Sequence, residues 1–301
     1  MEQLLSSQLF LSAIRLTIPL ALAALGTTII EKSGVINLGV EGVMLFGAFF
    51  AVLGSHLTGS PFIGMLFAIV IGAILGLLYA VLTLHFNANQ SVTGIGLNVF
   101  ATGFTLVLTR LVWGTEGLSG SVTPMPSFSI PVLSEIPILS LFFKDQSIYF
   151  YITIALVIGT WWFLYKMKHG LRLRAIGLHS RAAETVGIPV EKYRYIAITV
   201  SCILCSLGGS YLSIVQNSRF VNDMVAGRGF MAIAANIFGG EHPVGSLLAS
   251  FIFAFAQALR INIDVNIPDQ MLQMLPYVLT LVVLFLMAIR KKVARRKMDK
   301  I

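Results

Sequence analysis

Charged side chains are scarce in this chain of 301 residues. Asp, Glu, Lys and Arg together make up 11% of the sequence, hydrophobic residues make up 56%, and the mean hydropathy is +0.87. A water-soluble domain of this size could not carry such a composition without exposing much apolar surface. The composition therefore excludes a soluble globular protein and indicates an integral membrane protein.

Sequence motifs of catalysis are also lacking. The chain contains no GxxxxGK[ST] phosphate-binding loop, no GxSxG turn and neither of the zinc motifs HExxH and HxxEH. Its two cysteines, Cys202 and Cys205, lie in an apolar segment without a neighbouring histidine, so we interpret them as small packing residues. We therefore expect no catalytic residue, no metal and no cofactor, which argues against an intramembrane enzyme.

Long apolar runs dominate the sequence. A membrane-spanning helix needs about 20 predominantly apolar residues, and continuous runs indicate helices rather than the alternating strands of a barrel. The segments 36–54 and 228–240 are short and rich in glycine, so each could be a tilted, broken or re-entrant helix. The sequence predicts an all-α, polytopic transmembrane helix bundle of about 8–10 membrane segments, forming a single transmembrane domain over residues 1–301. The candidate segments lie near 10–30, 36–54, 62–85, 92–112, 148–165, 195–215, 228–240, 244–262 and 271–289.

Basic residues are concentrated in two places. Of the 21 Lys and Arg residues, 14 fall within Lys166–Arg194 or Arg290–Lys300, which is the pattern of cytoplasmic loops rather than of a nucleic-acid-binding face. Two cytoplasmic clusters must be separated by an even number of crossings, and four predicted segments lie between them. This orientation places the C-terminus in the cytoplasm, and it places the Pro-rich loop Gly114–Ser147 and the N-terminus outside.

The first basic cluster, residues 166–194, has more internal order than an orientation signal requires. Ser180 can serve as the N-cap of a short helix, and Gly187-Ile-Pro ends that helix after about two turns. Ala182 and Ala183 would let another surface approach closely. The alternative is an ordinary cytoplasmic loop that carries positive charge.

Three motifs carry a resemblance to a known family. The run Leu171–Gly177, followed by Ala182-Ala183 and Gly187-Ile188, resembles the cytoplasmic coupling loop of permeases in ABC importers of the branched-chain amino acid, ribose and nucleoside family. The stretches Glu31–Gly42 and Asn236–Ser246 match the same family in the same order. The version of the Glu31–Gly42 stretch found here is most similar to the smaller permease of bacterial nucleoside importers, often called simple sugar permeases.

The resemblance implies a multi-pass subunit of the cell membrane with several partners. These are a second, longer homologous permease that forms a heterodimer, a cytoplasmic ABC ATPase that consumes the ATP, and an extracytoplasmic substrate-binding lipoprotein. A nucleoside is the implied substrate, ribose-like sugars are the alternative, and branched-chain amino acids follow. The implied ATPase-coupling residues are Arg172, Arg174, Ala175, Gly177, Ala182, Ala183 and Gly187.

Polar residues inside apolar segments are candidates for the translocation path, because such residues tend to face the bundle interior or a pathway. Asn98, Asn236 and Gln257 are neutral hydrogen-bonding groups that suit a neutral ligand, although hydrogen bonds between helices would explain each of them equally well. An external turn that contains Arg219, Asp223 and Arg228 could meet the binding protein. We interpret a further set as structural: Asn37, Gly39, Glu41, Gly42, Gly239 and Gly240.

An ion-coupled secondary transporter is a less favoured alternative. Such proteins are often built from repeats with paired broken helices, and the segments 36–54 and 228–240 weakly resemble such a pair. The sequence does not show a second acid at a depth comparable to that of Glu41, so a proton relay is not favoured.

Overall fold

The computed structural model describes residues 7–128 and 146–262, which form a bundle of helices. The predicted segment 271–289, the basic tail 290–301 and residues 129–145 of the predicted external loop lie outside the described residues. Two short strands, β1 (Ser127–Phe128) and β2 (Gln146–Ser147), pair in antiparallel fashion. The helices are α1 (Ser7–Glu31), α2 (Val40–Thr58), α3 (Pro61–Ala80), α4 (Gln90–Trp113), α5 (Ile148–Lys166), α6 (Lys168–Leu178), α7 (Ser180–Thr185), α8 (Val190–Ser210), α9 (Arg228–Phe238) and α10 (Pro243–Asn262).

Within the described residues, six helices are long and apolar enough to cross a membrane: α1 to α5 and α8. Two of them, α3 and α8, continue into π-helical turns at Val81–His85 and Tyr211–Asn217. The prediction of an all-α, polytopic membrane protein is therefore confirmed. Helix α9 has 11 residues, a length of about 16 Å that cannot cross the hydrocarbon layer alone.

Helix α8 is the centre of the bundle. Helices α1, α2 and α3 each bring a glycine against it, and a β-carbon on any of these three glycines would come within 2.7 Å of an α8 backbone atom. Close approach of this kind replaces the hydrophobic driving force that is missing between helices in lipid. The facing pairs are Gly26 with Ser201, Gly47 with Ser206, and Gly76 with Thr199.

The two cysteines belong to this tightly packed centre. Cys202 and Cys205 are fully buried on α8, and both thiols are free. The sulfur of Cys205 would lie 2.9 Å from a β-carbon at Gly26, so the cysteine side chain fills the space that the glycine leaves open. Their interpretation as packing residues is confirmed.

Local contacts define two ends of the bundle. At the end that we call the loop-helix end, Gly177 of α6 lies against the connector after α1, and Lys32 in that connector forms an ion pair with Glu241 at 2.8 Å. At the opposite end, which we call the hairpin end, the chain after α4 runs beside the end of α8. There the backbone N–H of Met125 donates to the carbonyl of Ile214.

Residues 218–238 pass between these two ends as an irregular stretch followed by α9. After α8 the chain runs irregularly through residues 218–227, and Val221 forms a bridge with Leu118 at the hairpin end. Helix α9 then continues to the loop-helix end, where Asn236 donates to Glu31. The segment 228–240, for which a tilted, broken or re-entrant helix was expected, is thus a short continuous helix over Arg228–Phe238 that follows irregular chain.

Glu41 joins the starts of two helices inside the bundle. It stands in the first turn of α2, where its Oε1 accepts the backbone N–H of Gly227 and its Oε2 accepts that of Gly229, both at 2.7 Å. The carboxylate thus caps the N-terminus of α9, where free N–H groups and the helix dipole favour a negative charge. Gly229 has no room for a side chain, because a β-carbon there would lie 2.5 Å from the Glu41 nitrogen.

Replacing Glu41 with Ala should destabilise the protein by about 3 kcal/mol, because two buried N–H groups lose a charged acceptor. Glu41→Gln keeps one acceptor oxygen and should lose roughly half as much. Thermal unfolding of the detergent-solubilised protein measures both effects. The control is Glu116→Gln, which alters an exposed acid at the hairpin end. Equal stability of Glu41→Ala and wild type would show that α9 does not depend on this cap.

Candidate functional site

The predicted coupling loop forms two helices rather than one. Helix α7 (Ser180–Thr185) lies where the sequence predicts it, with His179 rather than Ser180 as the residue before its first turn. Helix α6 (Lys168–Leu178), which contains the Leu171–Gly177 motif, was missed because its mixed basic and apolar residues resemble a loop. We call the outward side of α6 and α7 the loop-helix surface.

The end of α7 is built as the Gly187-Ile-Pro stop predicts. Gly187 adopts a left-handed conformation, with φ of +77°, and its N–H donates to the carbonyl of Glu184. The N–H of Ile188 reaches back to the carbonyl of Ala183, so the last turn is closed by two bonds. Ala183 is buried in a small apolar cluster with Ile176 and Val190, whereas Ala182 points outward.

Apolar side chains are exposed on the loop-helix surface. Leu178 and Val186 are each 77% exposed, and Leu171 is also exposed. Arg172 and Arg181 are exposed around them. An exposed apolar patch with a polar rim is typical of a site that binds another protein.

The arginines of the motif brace α6 rather than simply extending into solvent. The guanidinium of Arg174 lies 4.5 Å above the ring of Tyr165 at the end of α5. Arg172 donates to the hydroxyl of Tyr193 on α8 at 3.4 Å. Ala175, on the same helix, is exposed.

Gly177 connects the loop-helix surface to the membrane helices. Its backbone lies directly against the connector after α1, and a β-carbon at Gly177 would be 2.5 Å from the carbonyl oxygen of Lys32. The facing residue Gly34 has a left-handed backbone, with φ of +77°. Arg194 donates to the Ser33 carbonyl beside them at 3.3 Å. The same connector leads within a few residues to Glu41 and the start of α2.

Asn236 is the centre of a buried hydrogen-bond cluster. Its Oδ1 accepts from Thr28 at 2.6 Å and from Ser246 at 3.1 Å, and its Nδ2 donates to Glu31 at 2.6 Å. The side chain has no exposed surface. These bonds tie the α9–α10 turn to α1, and they are of the interhelical kind that is the alternative to a place in the path.

The glycines of the Asn236–Ser246 motif shape this turn. Gly239 lies against the backbone of Gly245 and Ser246, which leaves no space for a side chain. Gly240 has a φ of +67°, a conformation that favours glycine. Similarly, in the Glu31–Gly42 motif, Asn37 accepts the N–H of Gly39 at 2.7 Å.

The other two predicted path residues lie apart from Asn236. Gln257 on α10 is half-buried and donates to the sulfur of Met231 at 3.2 Å. Asn98 on α4 is half-buried, accepts the N–H of Gly42 at 2.7 Å and donates to the carbonyl of Leu38 at 2.9 Å. Of the three residues, only Asn98 is among the residues lining a cavity of about 160 Å³ beside Glu41.

Asp223, which the sequence places in an external turn with Arg219 and Arg228, lines the same cavity. The charges of Arg219, Asp223 and Arg228 resemble those of a surface turn, and the irregular chain of residues 218–227 brings Asp223 beside Glu41. Arg228 starts α9 and donates to the carbonyls of Met224 and Val225 at 3.1 Å. The sequence carried no local signal for the position of Asp223 beside Glu41, because that position depends on the pairing with the chain after α4.

Comparison with known proteins places this chain in a family. The family described as branched-chain amino acid transport system, permease component, matches residues 9–287. The chain belongs to this family, which confirms the resemblance to permeases of ABC importers. It is therefore a transport component rather than an enzyme.

Individual relatives cover most of the chain. The guanosine ABC transporter permease protein NupQ of Bacillus subtilis strain 168 is 37% identical over 278 residues, 88% of this chain and 87% of NupQ. The nucleoside ABC transporter permease protein NupC of Lactococcus lactis subsp. cremoris strain MG1363 is 33% identical over 280 residues, 89% of this chain and 88% of NupC. One solved structure is described as a metal-chelate type ABC transporter in an inward-facing conformation. It matches 92% of this chain and 85% of its own chain with a TM-score of 0.52 at 15% identity, so the two proteins share the fold.

Replacing Asn236 with Ala should destabilise the protein by about 2–3 kcal/mol, because Glu31 loses its buried partner. Gln257→Ala removes a single weak bond to sulfur and should cost less than about 1 kcal/mol. Unfolding of both variants in detergent separates the two positions. A stable Asn236→Ala variant that has lost transport would instead return this residue to the translocation path.

Proposed function

We propose that this chain is the transmembrane permease subunit of an ATP-driven importer of nucleosides, with residues 1–301 acting as one permease domain. Its similarity to NupQ and NupC over nearly the whole chain supports a nucleoside as substrate. The observation that carries the mechanism is the contact of Gly177 with Lys32 and Gly34, because it joins the loop-helix surface to the connector that leads into α2.

The partner at the loop-helix surface is a separate ABC ATPase, which consumes the ATP. Leu178 and Val186 offer an apolar contact, and the surrounding arginines suit an acidic rim on the partner. Closure of the ATPase would move α6 and α7 as a unit, because Ala183 and Ile176 pack together beneath them. The Gly177 contact passes this movement to the connector and so to the helix starts at Glu41.

Two other partners complete the importer. A second permease would cover part of the exposed apolar faces of α3, α4 and α5, and lipid would cover the rest. A substrate-binding lipoprotein would dock at the hairpin end, opposite the ATPase. In this arrangement the loop-helix end and the C-terminus are cytoplasmic.

Replacing Gly177 with Leu should uncouple the importer, because the side chain would force α6 away from the connector at Lys32. Ala183→Glu should act similarly by placing a charge in the buried cluster beneath α7. We expect substrate-stimulated ATP hydrolysis by the assembled complex to fall at least about tenfold, a barrier change of about 1.4 kcal/mol. The matched control is Gly159→Leu on α5, where a side chain has open space. Normal transport by both Gly177→Leu and Ala183→Glu would contradict the docking assignment.

Uptake by cells with and without the gene tests the function itself. Labelled adenosine, guanosine, uridine and ribose are compared before and after collapse of the proton gradient, with ATP maintained. Gene-dependent nucleoside uptake that survives the collapse is the expected result. Loss of uptake on collapse would favour an ion-coupled transporter, and uptake of ribose alone would change the substrate while leaving the mechanism intact.

A further inference from the structure

The cavity beside Glu41 lies deep in the bundle. Asn98 and Thr102 form one wall, at about 12 and 18 Å from the start of α4, and Asp223 lies on the segment that leads to α9. The cavity volume of about 160 Å³ is below the roughly 300–1,000 Å³ that encloses a whole drug-sized ligand. It is therefore suited to one part of a larger substrate.

Asp223 is unusual for a residue at this depth. Its side chain is exposed, and in the described part of the chain it forms no ion pair. Its φ is +56°, and Ala226, three residues later, has a φ of +49°. An ionisable side chain at membrane depth and a strained backbone are each costly, and both are typical of functional sites.

The available hydrogen-bonding groups define the chemistry of a ligand. Glu41 uses one oxygen for each of two backbone N–H groups, so its carboxylate is committed to the α9 cap. Within the described residues, Asp223 has acceptor oxygens without a bonded donor, and Asn98 has a second amide hydrogen left over. Two acids at one cavity repel phosphate and other anions, and their oxygens accept hydrogen bonds from a cation or from a neutral donor. A nucleoside, the substrate of the proposed function, is a neutral ligand whose ribose donates hydroxyl groups.

We propose that Asp223 is a substrate-contacting residue that accepts hydrogen bonds from the adjacent 2′ and 3′ hydroxyls of the ribose of a permeating nucleoside. Asn98 and Thr102 line the same cavity from α4. This inference rests on the proposed function and identifies which part of the substrate the permease recognises. Carboxylates bind ribose hydroxyls in the same way in dinucleotide-binding proteins. A small, partly open site gives the weak binding that allows a substrate to leave again.

The test uses the whole importer in proteoliposomes, with its ATPase, second permease and binding protein. Uptake of guanosine is compared with that of 2′,3′-dideoxyguanosine. Each compound is supplied at a concentration that saturates the binding protein, so that any difference in uptake rate arises after the loaded binding protein has docked on the permease. The variants are Asp223→Ala, Asp223→Asn, which keeps one acceptor oxygen, and the control Glu191→Gln, which alters an exposed acid in the first turn of α8.

We expect Asp223→Ala to reduce the guanosine uptake rate by about 10- to 100-fold, the effect of losing charged hydrogen bonds, and to change dideoxyguanosine uptake by less than about threefold. Asp223→Asn should lie between wild type and Asp223→Ala, and Glu191→Gln should match wild type. An unchanged guanosine rate, or an equal fall for both compounds, would overturn the role of Asp223. Absence of nucleoside uptake by the wild-type importer would instead overturn the proposed function.

Discussion

The rest of the bundle depends on one constraint, which is that a helix beginning inside the membrane must find acceptors for its free N–H groups. Glu41 meets this constraint for α9 by accepting from Gly227 and Gly229. Asn98 meets it in part for α2 by accepting from Gly42. Because lipid offers no substitute partners, these bonds decide where both helices can begin.

Close packing of backbones gives this arrangement its shape. Glycines on α1, α2 and α3 press against α8, so the centre of the bundle has few ways to rearrange without separating helices. Close packing of backbones at a glycine also occurs at Gly177, where α6 meets the connector after α1. A displacement of α6 would therefore reach the start of α2 through rigid backbone contacts rather than through flexible side chains.

The irregular chain of residues 218–227 also explains why polar groups lie beside the cavity. Irregular backbone at membrane depth is tolerated only where protein or a cavity satisfies it, and the segment 218–227 meets both conditions. It carries Asp223 to the cavity that Asn98 lines, while Asn236 is fully engaged in bonds near the loop-helix end. Asn236 thus only holds helices together, whereas Asn98 both bonds to the chain at the start of α2 and lines the cavity.

Composition alone determined that this is a membrane protein, because a helix can span the bilayer when its own apolar run is long enough, and that length is a property of the segment alone. The basic cluster and the Gly187-Ile-Pro stop likewise predicted α7, since turn formation depends on adjacent residues. Neither the cap on α9 nor the depth of Asp223 could be predicted in this way. Glu41 and Gly227 are 186 positions apart, and their pairing exists only because α2, α4 and the chain after α8 converge. Hydropathy adds up along a segment, whereas a cavity depends on which segments meet, and only the tertiary structure decided that.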